Sequence, residues 1–130
     1  MGDGTTIGQV RGLGPAHEGT SHWTAQRYTA LGNIFLGAWL VVSVLLMRGN
    51  LDLASVADWL SGPIPGTAMI LFIACTFYHA RLGLQVLVED YVHNEGTRFA
   101  LIVLLNLVVI AAATFGIFCV LKLALGGSVL

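Results

Sequence analysis

The sequence predicts an all-α membrane protein with three transmembrane helices and a short interfacial helix between the first and the second. Of its 130 residues, 56% are hydrophobic and only 10% are charged, whereas a soluble domain carries about a quarter charged residues. The apolar residues gather in three long runs, each close to the roughly 20 residues with which a helix crosses a bilayer. Because backbone polar groups in lipid must be paired within the chain, such runs fold as helices.

The three predicted spans cover residues 28–47, 66–88 and 99–121. The first and the third contain no charged residue, whereas the second contains a histidine and an arginine. Residues 1–27 are predicted as a polar cytoplasmic N-terminal segment, and residues 28–130 as a three-helix membrane domain. The net charge of −1 gives no reason to expect nucleic-acid binding.

A short helix, Asp52–Leu60, is predicted between the first two spans. Its apolar residues recur with the spacing of one helical face, and Asp52 is of a residue type that caps helix starts. Trp59 suits the headgroup boundary of a bilayer, and the stretch at 61–66, which contains proline and glycine, ends the helix. We therefore expect this helix to lie along the membrane surface.

The distribution of basic residues favours a cytoplasmic N-terminus and a periplasmic C-terminus in a bacterial inner membrane. Arg11, Arg27 and Arg98 fall on the predicted cytoplasmic side, and Arg48 and Lys122 fall on the other side. Cytoplasmic loops of membrane proteins carry an excess of Arg and Lys. With this orientation, the second span runs back towards the cytoplasm.

The second span contains a histidine that suits cofactor binding. His79 lies 13 residues after Gly66, close to the middle of the bilayer, and it shares one helical face with Gly83 and Asp90. A neutral imidazole beside a glycine suits a porphyrin, because the ring nitrogen can ligate iron and the glycine leaves room for the flat macrocycle. The alternative is a histidine that forms a hydrogen bond between helices.

Two arginines are candidates for contact with an anionic group or a ligand. Arg81 lies about 200° around the helix from His79. It is costly in lipid, so it should meet an acid, a propionate or a water-filled crevice, unless its long stem reaches the headgroups. Arg27, close to Trp23, is either an interfacial anchor or reaches an anionic group within the bundle.

Asp90 and Tyr91 lie where the second span leaves the bilayer, about 16 Å beyond His79. A tyrosine hydroxyl can donate a hydrogen bond to a carbonyl, and a carboxylate can pass protons. From the residue types alone, an interfacial tyrosine with solvated acids is the simpler interpretation.

Two stretches of the sequence show a family resemblance. One is GTSHWTAQRYTA at residues 19–30, and the other is HARLGLQVLVEDYVH at residues 79–93. Together they resemble the smaller of the two hydrophobic membrane anchor subunits of succinate dehydrogenase, in its alphaproteobacterial and mitochondrial-type form. The resemblance covers nearly the whole chain from Gly12 onwards, and the histidine followed after ten residues by Asp-Tyr is its most specific part.

The resemblance implies roles for several of these residues. His79 corresponds to an axial ligand of haem b, with the second ligand supplied by the partner anchor. Tyr91 corresponds to a tyrosine that hydrogen-bonds a carbonyl of the quinone, here ubiquinone, and Asp90 corresponds to its neighbour in the same site. For Arg81 the family implies no role, and Arg27 and Arg81 are candidates for contact with a haem propionate or with the quinone.

The resemblance also implies partners, namely a flavoprotein subunit, an iron–sulfur subunit and a second, cytochrome b-type membrane anchor. The chain would be a subunit of the enzyme without oxidising succinate itself, because it has no Gly-rich dinucleotide motif and no cysteine cluster for iron–sulfur centres. The alternatives are an anchor of a fumarate reductase and a three-span structural or transport subunit with no redox role.

Overall fold

The computed structural model describes residues 16–47 and 51–126, which form four helices. These are α1 (Ala16–Leu46), α2 (Leu53–Ser61), α3 (Pro63–Tyr91) and α4 (Glu95–Ala124). The helices α1 (from Thr20 onwards), α3 and α4 are long and apolar enough to cross a membrane. The predicted all-α fold, with three spans and a short helix between the first and the second, is therefore confirmed.

Each long helix extends beyond the apolar run that predicted it. α1 begins at Ala16, twelve residues before the predicted span, so residues 19–30 are helical. α3 begins at Pro63, where proline is favoured because the first helical N–H needs no partner within the helix. α4 begins after Asn94, whose side chain accepts a hydrogen bond from the Thr97 N–H at 3.0 Å. Hydropathy marks the part of a helix that suits lipid, whereas capping residues mark its ends.

The short helix α2 has the predicted N-cap. The Asp52 carboxylate accepts hydrogen bonds from the Ser55 hydroxyl at 2.6 Å and from the Ser55 N–H at 3.3 Å. These bonds, the hydroxyl bond first, lower the pKa of Asp52 from its ordinary value. At the other end of α2, Trp59 stacks on Trp39 of α1 with ring centroids 5.4 Å apart, and Leu60 is buried. The helix is therefore fixed against the long helices.

The central helix of the three long helices is α3. It packs against α1 and against α4, whereas the backbones of α1 and α4 do not approach each other closely within the described residues. Small residues allow close approach. A Cβ added at Gly32 of α1 would lie 2.8 Å from Cys75 Sγ of α3, and one added at Gly116 of α4 would lie 3.4 Å from Ile73 of α3. The long helices therefore form a layer with two open faces.

Most large apolar side chains on this layer are exposed. Among the described residues, Leu60 and Leu82 are the only buried apolar side chains of the core. Extensive exposed apolar surface is typical of proteins that contact membranes or other subunits. The two faces of the layer are thus available to lipid and to neighbouring membrane helices.

Candidate functional site

His79 lies near the middle of α3 and faces α1. Its Nδ1 atom is 3.0 Å from the hydroxyl oxygen of Thr29 on α1, and the ring is half-buried. This is the interhelical hydrogen bond that the alternative interpretation of the histidine predicted, but it engages only one of the two ring nitrogens. Among the described residues no other hydrogen-bond partner contacts the ring, so Nε2 is not engaged by them.

A recess of about 280 Å³ opens beside His79. Its other lining residues are Trp23, Gln26, Arg27 and Ala30 of α1. These four follow one face of α1, because positions three and four residues apart are about one turn apart. All four belong to the first of the two stretches that carry the family resemblance, and His79 begins the second. Folding therefore brings the two stretches together.

The recess fits part of a haem site. At Gly83, one turn after His79, a Cβ would meet nothing within 4 Å beyond the neighbouring residues and backbone of its own helix, so the glycine leaves open space beside the helix. The guanidinium of Arg27 lies over the Trp23 ring, 5.2 Å from its centroid, and Arg27 is exposed. An unengaged imidazole nitrogen, open space and a cation suit a flat iron macrocycle that carries carboxylates. A haem is larger than this recess, so the described residues of this chain would enclose only part of one.

Arg81 lies outside this recess, where it faces α4 and also borders a groove beside the N-terminal part of α1. Its Nε donates a hydrogen bond to Asn106 Oδ1 of α4, and its guanidinium carbon is 5.9 Å from the centroid of the Tyr78 ring. These three residues line a cavity of about 540 Å³ between α3 and α4. Arg81 does not line the recess beside His79, so the structure does not bring these two predicted site residues together.

Asp90 and Tyr91 form the C-terminal end of α3. Both side chains are exposed, Tyr91 to 77%. They lie about 16 Å along the helix axis from His79 and do not line its recess. The neighbouring acid Glu89 accepts a hydrogen bond from Gln85 at 2.8 Å. The phenol of Tyr91 is therefore accessible to a ligand at the end of the helix layer.

Several polar side chains that support the site had no role assigned from the sequence. Besides the Thr29 hydroxyl, the Cys75 thiol donates to the Thr29 carbonyl oxygen at 3.2 Å. The Thr76 hydroxyl donates to Asn33 Oδ1 at 3.1 Å, and Asn106 receives the bond from Arg81. In a sequence, such residues can be recognised as isolated polar side chains within apolar runs, because polar groups in membrane helices form hydrogen bonds across helix interfaces.

Comparison with known proteins identifies the family. The family model of the succinate dehydrogenase/fumarate reductase transmembrane subunit matches residues 1–114. The chain belongs to this family. Together with its three long apolar helices, this makes it an integral membrane protein. No solved structure is significantly similar to the chain.

Three curated relatives carry the name succinate dehydrogenase hydrophobic membrane anchor subunit. The protein from Rickettsia felis is 33% identical over 105 residues, which is 78% of this chain and 87% of the relative. The protein from Rickettsia conorii is 30% identical and covers 78% of this chain and 80% of its own length. The protein from Paracoccus denitrificans is 31% identical over 111 residues, with 83% and 84% covered. The similarity therefore extends over most of both chains.

Proposed function

We propose that the chain is the smaller membrane anchor of a succinate:quinone oxidoreductase. In this role it docks a flavoprotein subunit and an iron–sulfur subunit on the membrane, together with a second, cytochrome b-type anchor. The observation that supports this function best is the recess beside His79. It joins the two family-like stretches around a half-buried imidazole with one unengaged nitrogen. The names of the relatives support the same role.

The recess is the proposed binding site for haem b. His79 would hold the haem iron through Nε2, and the partner anchor would supply a second ligand. Arg27 pairs with a carboxylate of the macrocycle, and Gly83 leaves room beside the ligand. When bound, the haem supplies a one-electron carrier within the membrane. The chain's own residues hold the imidazole and neutralise charge at the rim.

Tyr91 and Asp90 are the proposed quinone-binding residues, with ubiquinone as the substrate. The Tyr91 hydroxyl donates a hydrogen bond to a quinone carbonyl, and this bond strengthens as the quinone gains negative charge. The exposed Asp90 beside it holds waters that return protons. The end of α3 suits this role, because a quinone ring there lies near a soluble subunit docked on the same side.

We also propose a cytoplasmic N-terminus and a periplasmic C-terminus in a bacterial inner membrane. Of the basic residues that predict this orientation, Arg11 and Arg48 lie outside the described residues. Arg27 on α1 and Arg98 at the start of α4 lie towards one end of the layer, while Lys122 lies at the other. The described residues therefore show the same bias as the sequence.

Absorbance and EPR spectra of the purified complex test the haem assignment. We expect a low-spin haem b signal in the wild-type complex, and its loss or conversion in His79→Ala, because one axial ligand is removed. His93→Ala is the matched control, because His93 is exposed in the segment between α3 and α4. A wild-type complex without haem, or an unchanged bis-histidine spectrum in His79→Ala, would contradict the assignment.

An anchor of a fumarate reductase is the second candidate, since the family includes the transmembrane subunits of both enzymes. The direction of turnover depends on the flavoprotein and on the potential of the quinone, neither of which this chain sets. Rates of quinone-linked succinate oxidation and fumarate reduction by the purified complex distinguish the two candidates. The absence of both activities would instead favour a three-span subunit without a redox role.

A further inference from the structure

The hydrogen bonds around Thr29 bear on which nitrogen of His79 carries the proton. The Thr29 hydroxyl oxygen lies 3.0 Å from His79 Nδ1. It also lies 2.8 Å from the carbonyl oxygen of Ala25 and 3.1 Å from that of Gln26. A hydroxyl has one proton to donate, and a carbonyl oxygen can only accept. The three contacts therefore cannot all be donated by Thr29.

Two arrangements of the hydroxyl proton are possible. If Thr29 donates to Nδ1, its oxygen faces two carbonyl oxygens with no proton between them, which is repulsive. If Thr29 donates to the carbonyls, its oxygen accepts a hydrogen bond from a protonated Nδ1, and every one of these close contacts then contains a proton. The second arrangement is favoured, because the repulsion between oxygen atoms with no proton between them is strong in a low-dielectric interior.

We propose that Thr29 is a positioning residue that holds His79 in the tautomer protonated at Nδ1. The lone pair of Nε2 is then free to ligate a metal ion, and the identification of that metal as haem iron rests on the proposed function. The chain of bonds from Nδ1–H through the Thr29 hydroxyl to a backbone carbonyl also polarises the ring and makes Nε2 a stronger donor to the metal.

Thr29 is itself held firmly against α3. Its side chain is β-branched and therefore restricted in rotation, and its hydroxyl is fixed by the carbonyls one turn before it. Its carbonyl oxygen accepts a hydrogen bond from the Cys75 thiol at 3.2 Å. Gly32 allows this close approach, since any Cβ there would meet the same sulfur. The hydroxyl is thus placed by contacts on both helices.

Thr29→Val tests this role in the purified complex, because valine keeps the shape and removes the hydroxyl. We expect roughly 10- to 100-fold weaker haem retention, as for other residues that orient a metal-bound histidine. We also expect a more positive haem midpoint potential, because the imidazole becomes a weaker donor to ferric iron. Thr29→Ser keeps the hydroxyl and should stay close to wild type in both measurements.

Thr24→Val is the matched control, because the Thr24 hydroxyl donates to the Thr20 carbonyl oxygen at 2.7 Å in the same helix. It should leave haem retention and potential unchanged. The inference is overturned if Thr29→Val leaves haem retention and midpoint potential unchanged in a complex that contains haem. It is also overturned if Thr29→Ser lowers haem retention as much as Thr29→Val does. In either case the proposed function stands.

A second measurement needs no variant at position 29. Side-chain ¹⁵N NMR of the full chain in lipid vesicles, free of haem, distinguishes the two neutral tautomers of histidine. The signals that disappear in His79→Gln are those of His79. A ring protonated at Nδ1 supports the inference, and a ring protonated at Nε2 overturns it. A wild-type complex without haem contradicts the proposed function instead, so the two failures are distinguishable.

Discussion

Gly32→Ala is expected to break the helix contact that places Thr29 beside His79. The added Cβ would lie 2.8 Å from Cys75 Sγ, whereas non-bonded heavy atoms prefer separations of about 3.5–4.0 Å. If the helices move apart to relieve this contact, they separate by roughly 0.7–1.2 Å at this point. The distance between the Thr29 hydroxyl and His79 Nδ1, now 3.0 Å, would then exceed the range of about 2.7–3.2 Å for a hydrogen bond.

Two measurable losses follow from Gly32→Ala. Overpacking of a close contact costs about 1–3 kcal/mol in the free energy of unfolding, and loss of the Thr29 bond weakens haem retention roughly 10- to 100-fold. If Cys75 turned away instead, its thiol would lose the hydrogen bond to the Thr29 carbonyl oxygen, which also helps to place Thr29. The assays are the thermal unfolding midpoint and the haem content of the purified complex. The double variant Gly32→Ala/Cys75→Ala also removes the sulfur. It should restore most of the unfolding midpoint and most of the haem content.

Gly37→Ala is the control for Gly32→Ala. Gly37 lies on the same helix and also faces α3, but a Cβ there would be 3.7 Å from the Phe72 ring, which is ordinary contact. We expect this variant to match the wild type. If Gly32→Ala and Gly37→Ala complexes have the same haem content and unfolding midpoint, the close contact does not determine the position of His79, and the reasoning is refuted.

Three further predictions concern the quinone site, the topology and the other side of α3. Tyr91→Phe removes only the hydroxyl, so the rate of quinone reduction should fall strongly, while succinate oxidation with a soluble artificial acceptor should stay near normal. If quinone-linked turnover and the affinity for quinone-site inhibitors are both unchanged, Tyr91 is only an interfacial anchor. Reporter fusions should place the N-terminus in the cytoplasm and the C-terminus outside, and an external N-terminus would reverse the proposed orientation. Asn106→Leu should lower the unfolding midpoint of the complex more than the double variant Arg81→Leu/Asn106→Leu does. Equal decreases of the midpoint would show that Asn106 does not compensate the charge of Arg81.

The spans were predictable because a long apolar run is a property of composition. Hydropathy alone placed all three long helices, and the residue type of Asp52 placed the start of α2. The early start of α1 at Ala16 was not predicted, because its first turns are polar and carry no hydropathy signal. A helix can extend beyond the hydrocarbon, so the limit of an apolar run is not the limit of the helix.

The pairing of residues between helices was much less predictable. Thr29 and His79 are 50 positions apart in the sequence, and no periodic pattern in either helix states which residues will meet. The register depends on single close contacts, such as Gly32 against Cys75. The family resemblance supplied part of this information. It pointed to two separate stretches, residues 19–30 and the stretch that begins at His79, and the fold brings them together.

The prediction for Asn106 follows from the cost of a charge inside the membrane. Arg81 lies four residues, or about 6 Å, from the midpoint of the 29-residue α3. Insertion of an arginine at the centre of a membrane helix costs about 2.5–3.5 kcal/mol. A hydrogen bond to a charged group returns about 1.5–3 kcal/mol, and a cation–π contact returns about 0.5–2 kcal/mol. Asn106 and Tyr78 supply one of each.

These gains are of the same size as the cost, so Arg81 needs no acid or propionate to be stable where it lies. Its guanidinium contacts Tyr78, which is nearer the middle of α3, rather than the nearer end of the helix. It therefore does not reach the headgroups by extending its stem. Asn106→Leu removes an acceptor and leaves the charge in place, whereas the double variant removes the charge as well. An arginine bound in this way serves to join α3 to α4, and it is not needed for the cofactor site that we propose between α1 and His79.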